Sequence, residues 1–311
     1  MKLSEWLDIW LNKYVKHTIK VRTYERYNYI IEKHINNFLG DYDLDELSVN
    51  VLQDFIFTKV EKGNLKTGKG LANNTIFGIF NVLNQSVLEA NKLGYTKVNN
   101  IKNVKLPPRQ EKEITAFEKD EQAKIEKFCL SGKPNYLGIV ICLYTGIRLG
   151  ELLALTYDDI DFNKCLMHIN KTTYQIKRDG KAVQIVDRPK TKNSLRTIPI
   201  PKQLATLIKK NKKITGSKYV VTTHKKGMVG IRSYEKTFEL ILKKLNIPYK
   251  NFHSLRHTFA TRSAEMGIDA RSLSEILGHK NPMITLQRYT HSMLSYKTIF
   301  MNKLGKNLEN S

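Results

Sequence analysis

The chain is short of acid. Against 52 lysines and arginines it carries 29 aspartates and glutamates, a formal net charge of +23 over 311 residues. The basic residues are spread along the whole length, which calls for an extended positive surface and a polyanionic partner. Cysteine is equally scarce, with only Cys129, Cys142 and Cys165. Three cysteines far apart make no disulfide framework, and no CxxC or Cys/His pair has zinc spacing. They read as buried, reduced thiols. No uninterrupted apolar run is long enough to span a bilayer, and no basic amphipathic terminal helix stands apart from the globular pattern. A membrane is therefore not the expected partner. Glu5 and Asp8 interrupt the N-terminal MKLSEWLDIWLNKYV, which also lacks the small-residue cleavage site of a signal peptide. The expected compartment is the cytoplasm. There is no repeat, no low-complexity segment and no carboxylate cluster of the kind that holds catalytic metals.

What is present reads as two domains of ordinary size, each able to bury a core. Residues 1–106 form the first. Leu3, Leu7, Trp10, Leu11 and Tyr14 recur at helical spacing, and further periodic runs cover Tyr24 to Leu39, Val49 to Val60 with Ser48 as cap, and Asn73 to Leu93. The intervening Gly63–Gly70 loop carries Lys66 and Lys69. Residues 107–113 are a linker, since Pro107 and Pro108 in a charged stretch cannot continue a helix. Residues 114–311 form the second domain, with 291–311 as its tail. It is expected to open with a helix from Phe117 to Leu130 capped by Thr115, followed by a more apolar helix from Tyr136 to Tyr144. From Cys165 to Ile200 the pattern alternates and predicts one small antiparallel sheet, with a turn at Asp179–Gly180 and Lys190 in the hairpin turn before the last strand. Helices resume at Lys202, Ile231 to Leu245, HSLRHTFATRSAEMG and SLSEILG. The fold class is mainly α with a small antiparallel sheet.

Six side chains stand in an order that suits one chemistry. Arg148 lies in TGIRLGELLAL, Lys190 in RPKTKNSLRTIP, His253 and Arg256 in HSLRHTFAT, His279 in LGHKNP and Tyr289 in QRYTH. Attack on a phosphodiester builds charge on the non-bridging oxygens. Preorganised donors aimed at that charge supply about 3–4 kcal/mol each at comparable sites. Arginine suits this work because its planar fork is always charged and grips phosphate at two points. A tyrosine, with a phenol pKa of about 10, attacks only in a strong positive field or beside a base, and then holds the DNA end covalently. The departing 5′-hydroxyl needs a proton. Lys190 on its turn is the candidate donor, and His253 and His279 titrate near neutrality. Taken singly each piece has an ordinary reading: His253 and Arg256 as a solvated helix face, Arg148 with Glu151 as a helix ion pair. The conjunction, in order, carries the weight.

These motifs resemble those of the tyrosine recombinase (phage integrase) family, most closely the integrases of phages and conjugative transposons. The resemblance runs from about Lys2 to about Ser295. TGIRLGELLAL looks like the family's first-arginine box, PKTKNSLRTIP like its β-hairpin lysine segment, HSLRHTFAT like its HxxR box and LGHKNPMITLQRYTH like its closing His-to-Tyr box. The likeness makes Arg148, Lys190, His253, Arg256 and His279 the phosphate pocket and Tyr289 the nucleophile. Glu151 and His257 become supporting residues. It implies no cofactor and no metal. The implied architecture is a C-shaped clamp on double-stranded DNA, with 1–106 as a helical core-type DNA-binding domain and 114–311 as the α+β catalytic domain. It further implies strand exchange through a 3′-phosphotyrosine and a Holliday junction in a synaptic tetramer, the tail docking on a neighbouring subunit through Ile299, Phe300 and Leu304. The accessory partner implied is an excisionase or a host DNA-bending protein, and the setting a bacterial nucleoid. His279 and Tyr289 are ten residues apart, one more than in many members, and Lys192 is the alternative to Lys190 because the preceding hairpin is long. The chain begins almost at the core-binding bundle, so the arm-site domain of many such integrases is expected to be absent, naturally or by truncation. A type IB topoisomerase-like nicking-closing enzyme and a non-catalytic DNA-binding regulator on the same fold are the alternatives.

Overall fold

The structure is a computed structural model that describes residues 1–99, 101–109, 116–178, 181–188, 195–279, 298, 301, 302 and 305. The chain divides into two compact units, Met1–Lys112 and Glu113–Ser311.

The first unit is helical. Helix α1 (Leu3–Ile9) continues as a π-helical stretch, Trp10–Val15. Helix α2 (Val21–Ile30) runs through a second π-helical stretch, Ile31–Ile35, into α3 (Asn36–Leu39). Helices α4 (Val49–Lys62) and α5 (Asn73–Lys92) complete the bundle. Leu3, Trp6, Leu7, Ile35, Leu39, Leu52, Phe55, Leu83 and Val87 are fully buried and make its core. The Trp6 indole N–H meets its obligation inside that core by donating to the Ser86 carbonyl at 2.9 Å. Ser48 caps α4 by accepting from the Val51 N–H at 3.3 Å, and Gly94, at φ 79°, turns the chain after α5. Helix α2 begins at Val21 and not at Tyr24. Val21 is exposed, so the first turn adds nothing to the apolar stripe from which the start was read.

The second unit is built around α7 (Leu137–Thr145), a helix buried on nearly every side. Around it lie α6 (Lys119–Leu130), α8 (Leu149–Ala154), α9 (Lys202–Thr215), α10 (Ile231–Lys244), α11 (His253–Glu265) and α12 (Ala270–Leu277), with five strands: β1 (Ile160–Asp161), β2 (Leu166–Ile169), β3 (Thr172–Arg178), β4 (Lys181–Asp187) and β5 (Arg196–Pro199). Ile125, Ile141, Leu152, Met167, Ile198, Ile208, Val221, Phe238 and Leu255 pack into one core. The unit is thus mainly α with small antiparallel sheets. No described helix is long and apolar enough to cross a membrane.

Four local expectations change. The single sheet is two sheets: β2 pairs with β1 and β5, while β3 pairs with β4 alone. Alternation reports which face a residue takes, not which strand it pairs with. The break falls at Asn170 and Lys171, which turn away from the ladder to bind Asp159, at 2.9 and 2.8 Å. Strands β4 and β5 therefore do not form a hairpin, and the link between them joins two sheets. Lys190 in that link, like Asp179–Gly180, lies outside the described residues. Helix α6 starts at Lys119 and not at Phe117. Thr115 lies outside the described residues, and the Glu118 N–H donates to the Glu121 carboxylate at 2.9 Å. Phe117 is instead buried ahead of the helix, its N–H donating to the Thr258 hydroxyl at 2.8 Å. Cys129 and Cys142 are buried, whereas Cys165 is only half-buried in a turn at φ 52°.

Candidate active site

Helix α7 ends in a turn that only glycine can make. Gly146 sits at φ 63°, and a Cβ there would lie 2.5 Å from the Phe259 ring and 2.8 Å from Leu277. The turn drops Ile147 into the core and sets Arg148 at the N-cap of α8. From that position the Arg148 backbone N–H donates to Glu151 Oε2 at 2.9 Å, and its guanidinium Nη1 to Glu151 Oε1 at 2.8 Å. Its Nη2 reaches across to the Gly278 carbonyl at 3.0 Å.

Arg256 comes from the other direction, in the second turn of α11. It is 2% exposed. Its Nη1 donates to the Gly146 carbonyl at 2.8 Å and its Nη2 to the Leu277 carbonyl at 2.7 Å. A third arginine completes the arrangement. Arg196, at the start of β5, donates from Nε to the Ile276 carbonyl at 2.6 Å, and its two terminal nitrogens clasp the Glu151 carboxylate at 2.9 and 3.2 Å. Ile276, Leu277 and Gly278 are consecutive, and each carbonyl takes one arginine. These are carbonyls left over at the end of α12, where a helix has no internal donors for them and where its dipole is negative. Three cations meet that end and fix the point from which the chain runs on to His279.

Glu151, 3% exposed, is the counter-charge. Burial is the largest influence on its carboxyl and pushes it up, but Arg196 and then Arg148 outweigh burial and hold it below the usual carboxylate range. Its folded value lies below its unfolded value, so its contribution to stability is complete above the latter and disappears as pH falls through the former.

The histidines lie at the rim. His279 is half-buried, its backbone N–H closing the end of α12 on the Ser274 carbonyl at 3.0 Å. His253, exposed, opens α11 one turn before Arg256, and its ring meets the edge of His257 at 4.6 Å between centroids. Of the sequence candidates, Arg148 and Arg256 converge on the end of α12 directly before His279, Glu151 is held between Arg148 and Arg196, and His253 and His257 sit together on α11. Lys190, its alternative Lys192 and Tyr289 lie outside the described residues. Arg196 stood in the sequence only as a basic neighbour of Lys190. Its signal was its phase, since in the alternating RTIPI it shares a face with the buried Ile198 and Ile200. The cysteines play no visible part: burial pushes the Cys129 thiol up to about 12 and the Cys142 thiol higher still.

Gly150, between Arg148 and Glu151, lets β3 approach. A Cβ there would fall 2.6 Å from the Thr173 carbonyl oxygen and 2.7 Å from the Thr172 hydroxyl. A Gly150→Ala substitution is therefore expected to destabilise the protein by about 1–3 kcal/mol, the usual cost of overpacking. Urea denaturation reads this directly, and an unchanged midpoint would mean that the strand yields without cost.

The comparisons with known proteins agree over most of the chain. The phage integrase family profile matches residues 105–295, and that of the phage integrase N-terminal SAM-like domain matches residues 2–59. A XerC-like tyrosine recombinase from Caldanaerobacter subterraneus subsp. tengcongensis is 30% identical over 321 residues, covering 95% of this chain and 81% of its own. The transposase from transposon Tn916 of Enterococcus faecalis is 30% identical over 211 residues, which are 62% of this chain and 51% of that protein. Among solved structures, the Tn1549 transposon integrase in complex with transposon right end DNA superposes with a TM-score of 0.80 at 21% identity, over 98% of this chain and 100% of that one. With the family motifs, the fold and the arginine cluster all in place, the chain belongs to the phage integrase family of tyrosine recombinases.

Proposed function

We propose that this recombinase cuts and rejoins double-stranded DNA at specific sites, in the integration and excision of a mobile element, with Tyr289 as the nucleophile. The observation that carries this is the convergence of Arg148 and Arg256 from distant segments onto adjacent carbonyls immediately before His279. Arg148 uses two guanidinium N–H groups on Glu151 and Gly278 and is about a third exposed. Its remaining donors can take a phosphate oxygen. Arg256 adds fixed positive charge in a buried setting, where a field acts most strongly. In the reaction the Tyr289 oxygen bonds to phosphorus and gives up its phenolic proton to a histidine at the phosphate, the bond to the 5′-oxygen breaks, and Lys190 gives the leaving oxygen its proton. His253 and His279 hold or trade protons at the phosphate, and Glu151 and His257 support them. The phosphotyrosine conserves the energy of the broken bond, so rejoining needs no external supply. Two sites exchanging strands in turn require several copies of the chain. The lambda integrase has been solved as a tetramer bound to a Holliday junction, and the tail 291–311, with Ile299, Phe300 and Leu304, is the segment we assign to contacts between copies. An excisionase or a DNA-bending protein would set direction.

Covalent trapping tests this reading. The protein is mixed with a nicked, randomised duplex pool in EDTA and denatured in SDS. A protein–DNA adduct is expected. Tight binding without adduct would favour a DNA-binding regulator, and relaxation at one site without strand exchange between two would favour a nicking-closing enzyme. Binding to the same pool should weaken steeply with salt, log K falling with log salt by about 0.9 per neutralised phosphate. With a net charge of +23, a flat salt response would overturn duplex DNA as the partner.

A further inference from the structure

Arg196 is the one buried cation of the cluster that the family motifs leave without a task. Its side chain is 6% exposed and Glu151 is 3% exposed, so the pair is sealed from solvent and from any substrate reaching the rim. Among the described residues the Arg196 side chain reaches α8 through Glu151 and the end of α12 through the Ile276 carbonyl. Glu151 in turn holds Arg148 by both its backbone N–H and its guanidinium. Strand β5 itself leaves the segment that carries Lys190. One side chain thus ties together the segments that bear Arg148 and His279.

We infer that Arg196 is a positioning residue for DNA cleavage: by clasping Glu151 and the end of α12 it sets the direction of the Arg148 guanidinium and the place of His279. This rests on the phosphotyrosine reading above. The physical case is that Glu151 has two demands on it. A buried carboxylate with Arg148 as its sole partner would pull that guanidinium inward to satisfy its own charge. With Arg196 clasping both of its oxygens, Glu151 can hold the Arg148 guanidinium by Nη1 alone, leaving Nη2 to the Gly278 carbonyl and the remaining N–H donors to a phosphate. Arginine is needed for this. Lysine would supply the charge but not the fork that spans a carboxylate and a carbonyl together.

The experiment measures the single-turnover rate constant of adduct formation on a nicked duplex recovered from the trapping pool. Wild type, Tyr289→Phe, Arg196→Gln, Arg196→Lys, Glu151→Gln and the Glu151→Gln/Arg196→Gln double variant are compared. The rate constant, not the yield, is the readout, because partial unfolding lowers yield and leaves the rate constant of the folded fraction unchanged. Arg196→Gln is expected to slow cleavage about 100-fold, the usual cost of misplacing a reacting group by about 1 Å. DNA affinity and the salt slope should stay as in the wild type, since a buried side chain neutralises no phosphate. In the Glu151→Gln background the same change should cost less than about 5-fold, because residues acting as one unit are not additive. Arg196→Lys, the milder change, should be slowed too while remaining folded. Arg196 variants with wild-type rate constants, or losses that add fully in the double variant, overturn the positioning role while leaving the phosphotyrosine reading intact. A salt slope reduced by about 0.9 would make Arg196 a direct phosphate ligand and overturn it also. No adduct from the wild type overturns both readings together.

Discussion

A Tyr289→Phe protein is expected to bind duplex DNA as the wild type does and to form no covalent adduct. The substitution removes one oxygen and keeps the ring, so packing and charge are nearly unchanged. The lost oxygen is the atom that would bond to phosphorus. Loss of a nucleophile in an assembled site costs about 10⁶-fold in rate, which for adduct formation on a nicked duplex means none detectable. In the proposed reaction the phenol would attack at neutral pH because positive charge surrounds the phosphate. Arg148 and Arg256, on α8 and α11 and held by the carbonyls at the end of α12, are the residues proposed to supply it. Gel analysis after SDS denaturation, with binding measured on the same duplex, separates the outcomes. An adduct from Tyr289→Phe would place the nucleophile at another of the 15 tyrosines. Loss of binding with loss of cleavage would make Tyr289 a structural residue.

The helices were legible in the sequence because their apolar residues repeat at 3.6 and their ends carry caps. Ser48 and Gly94 mark ends that the structure keeps, while the exposed first turn at Val21 and the buried Phe117 ahead of α6 misled the reading. Arg148 and Arg256 were legible as candidates because each stands in a motif, and the structure brings both to the end of α12. What the sequence withheld was pairing. Nothing in the alternation from Leu166 to Pro199 says that β5 returns to β2 across β3 and β4, since the decision is made by Asp159 capturing Asn170 and Lys171 from outside the strands. The same return carries Arg196 to Glu151, and so the cation that completes the cluster was hidden for the reason that the second sheet was. Backbone carbonyls were the other silent party. Ile276, Leu277 and Gly278 anchor three arginines with atoms that every residue possesses, and no residue type announces that role.

Arg256→Ala should lose both stability and cleavage, and the size of each loss separates the two duties of this side chain. Buried at 2% exposure, it is the donor printed into the geometry of two carbonyls, Gly146 at the end of α7 and Leu277 at the end of α12. Alanine leaves both without that donor, and a buried polar group deprived of its partner costs about 1–3 kcal/mol. A loss of about 2–6 kcal/mol in urea denaturation is therefore expected. Arg148→Ala should lose less, because Arg148 is about a third exposed and water can replace it at Gly278. For cleavage the expectation is the reverse of a simple clasp. The field of a fixed guanidinium acts most on the charge that develops in the transition state, so the rate constant should fall about 10²–10³-fold while DNA affinity changes little. Arg256→Lys discriminates further. It keeps the charge but cannot fork to two carbonyls, so a variant that regains rate without regaining stability assigns catalysis to the charge and the fold to the fork. If Arg256→Ala is unstable yet cleaves, in its folded fraction, with the wild-type rate constant, Arg256 is a clasp alone and the charge at the phosphate comes from elsewhere.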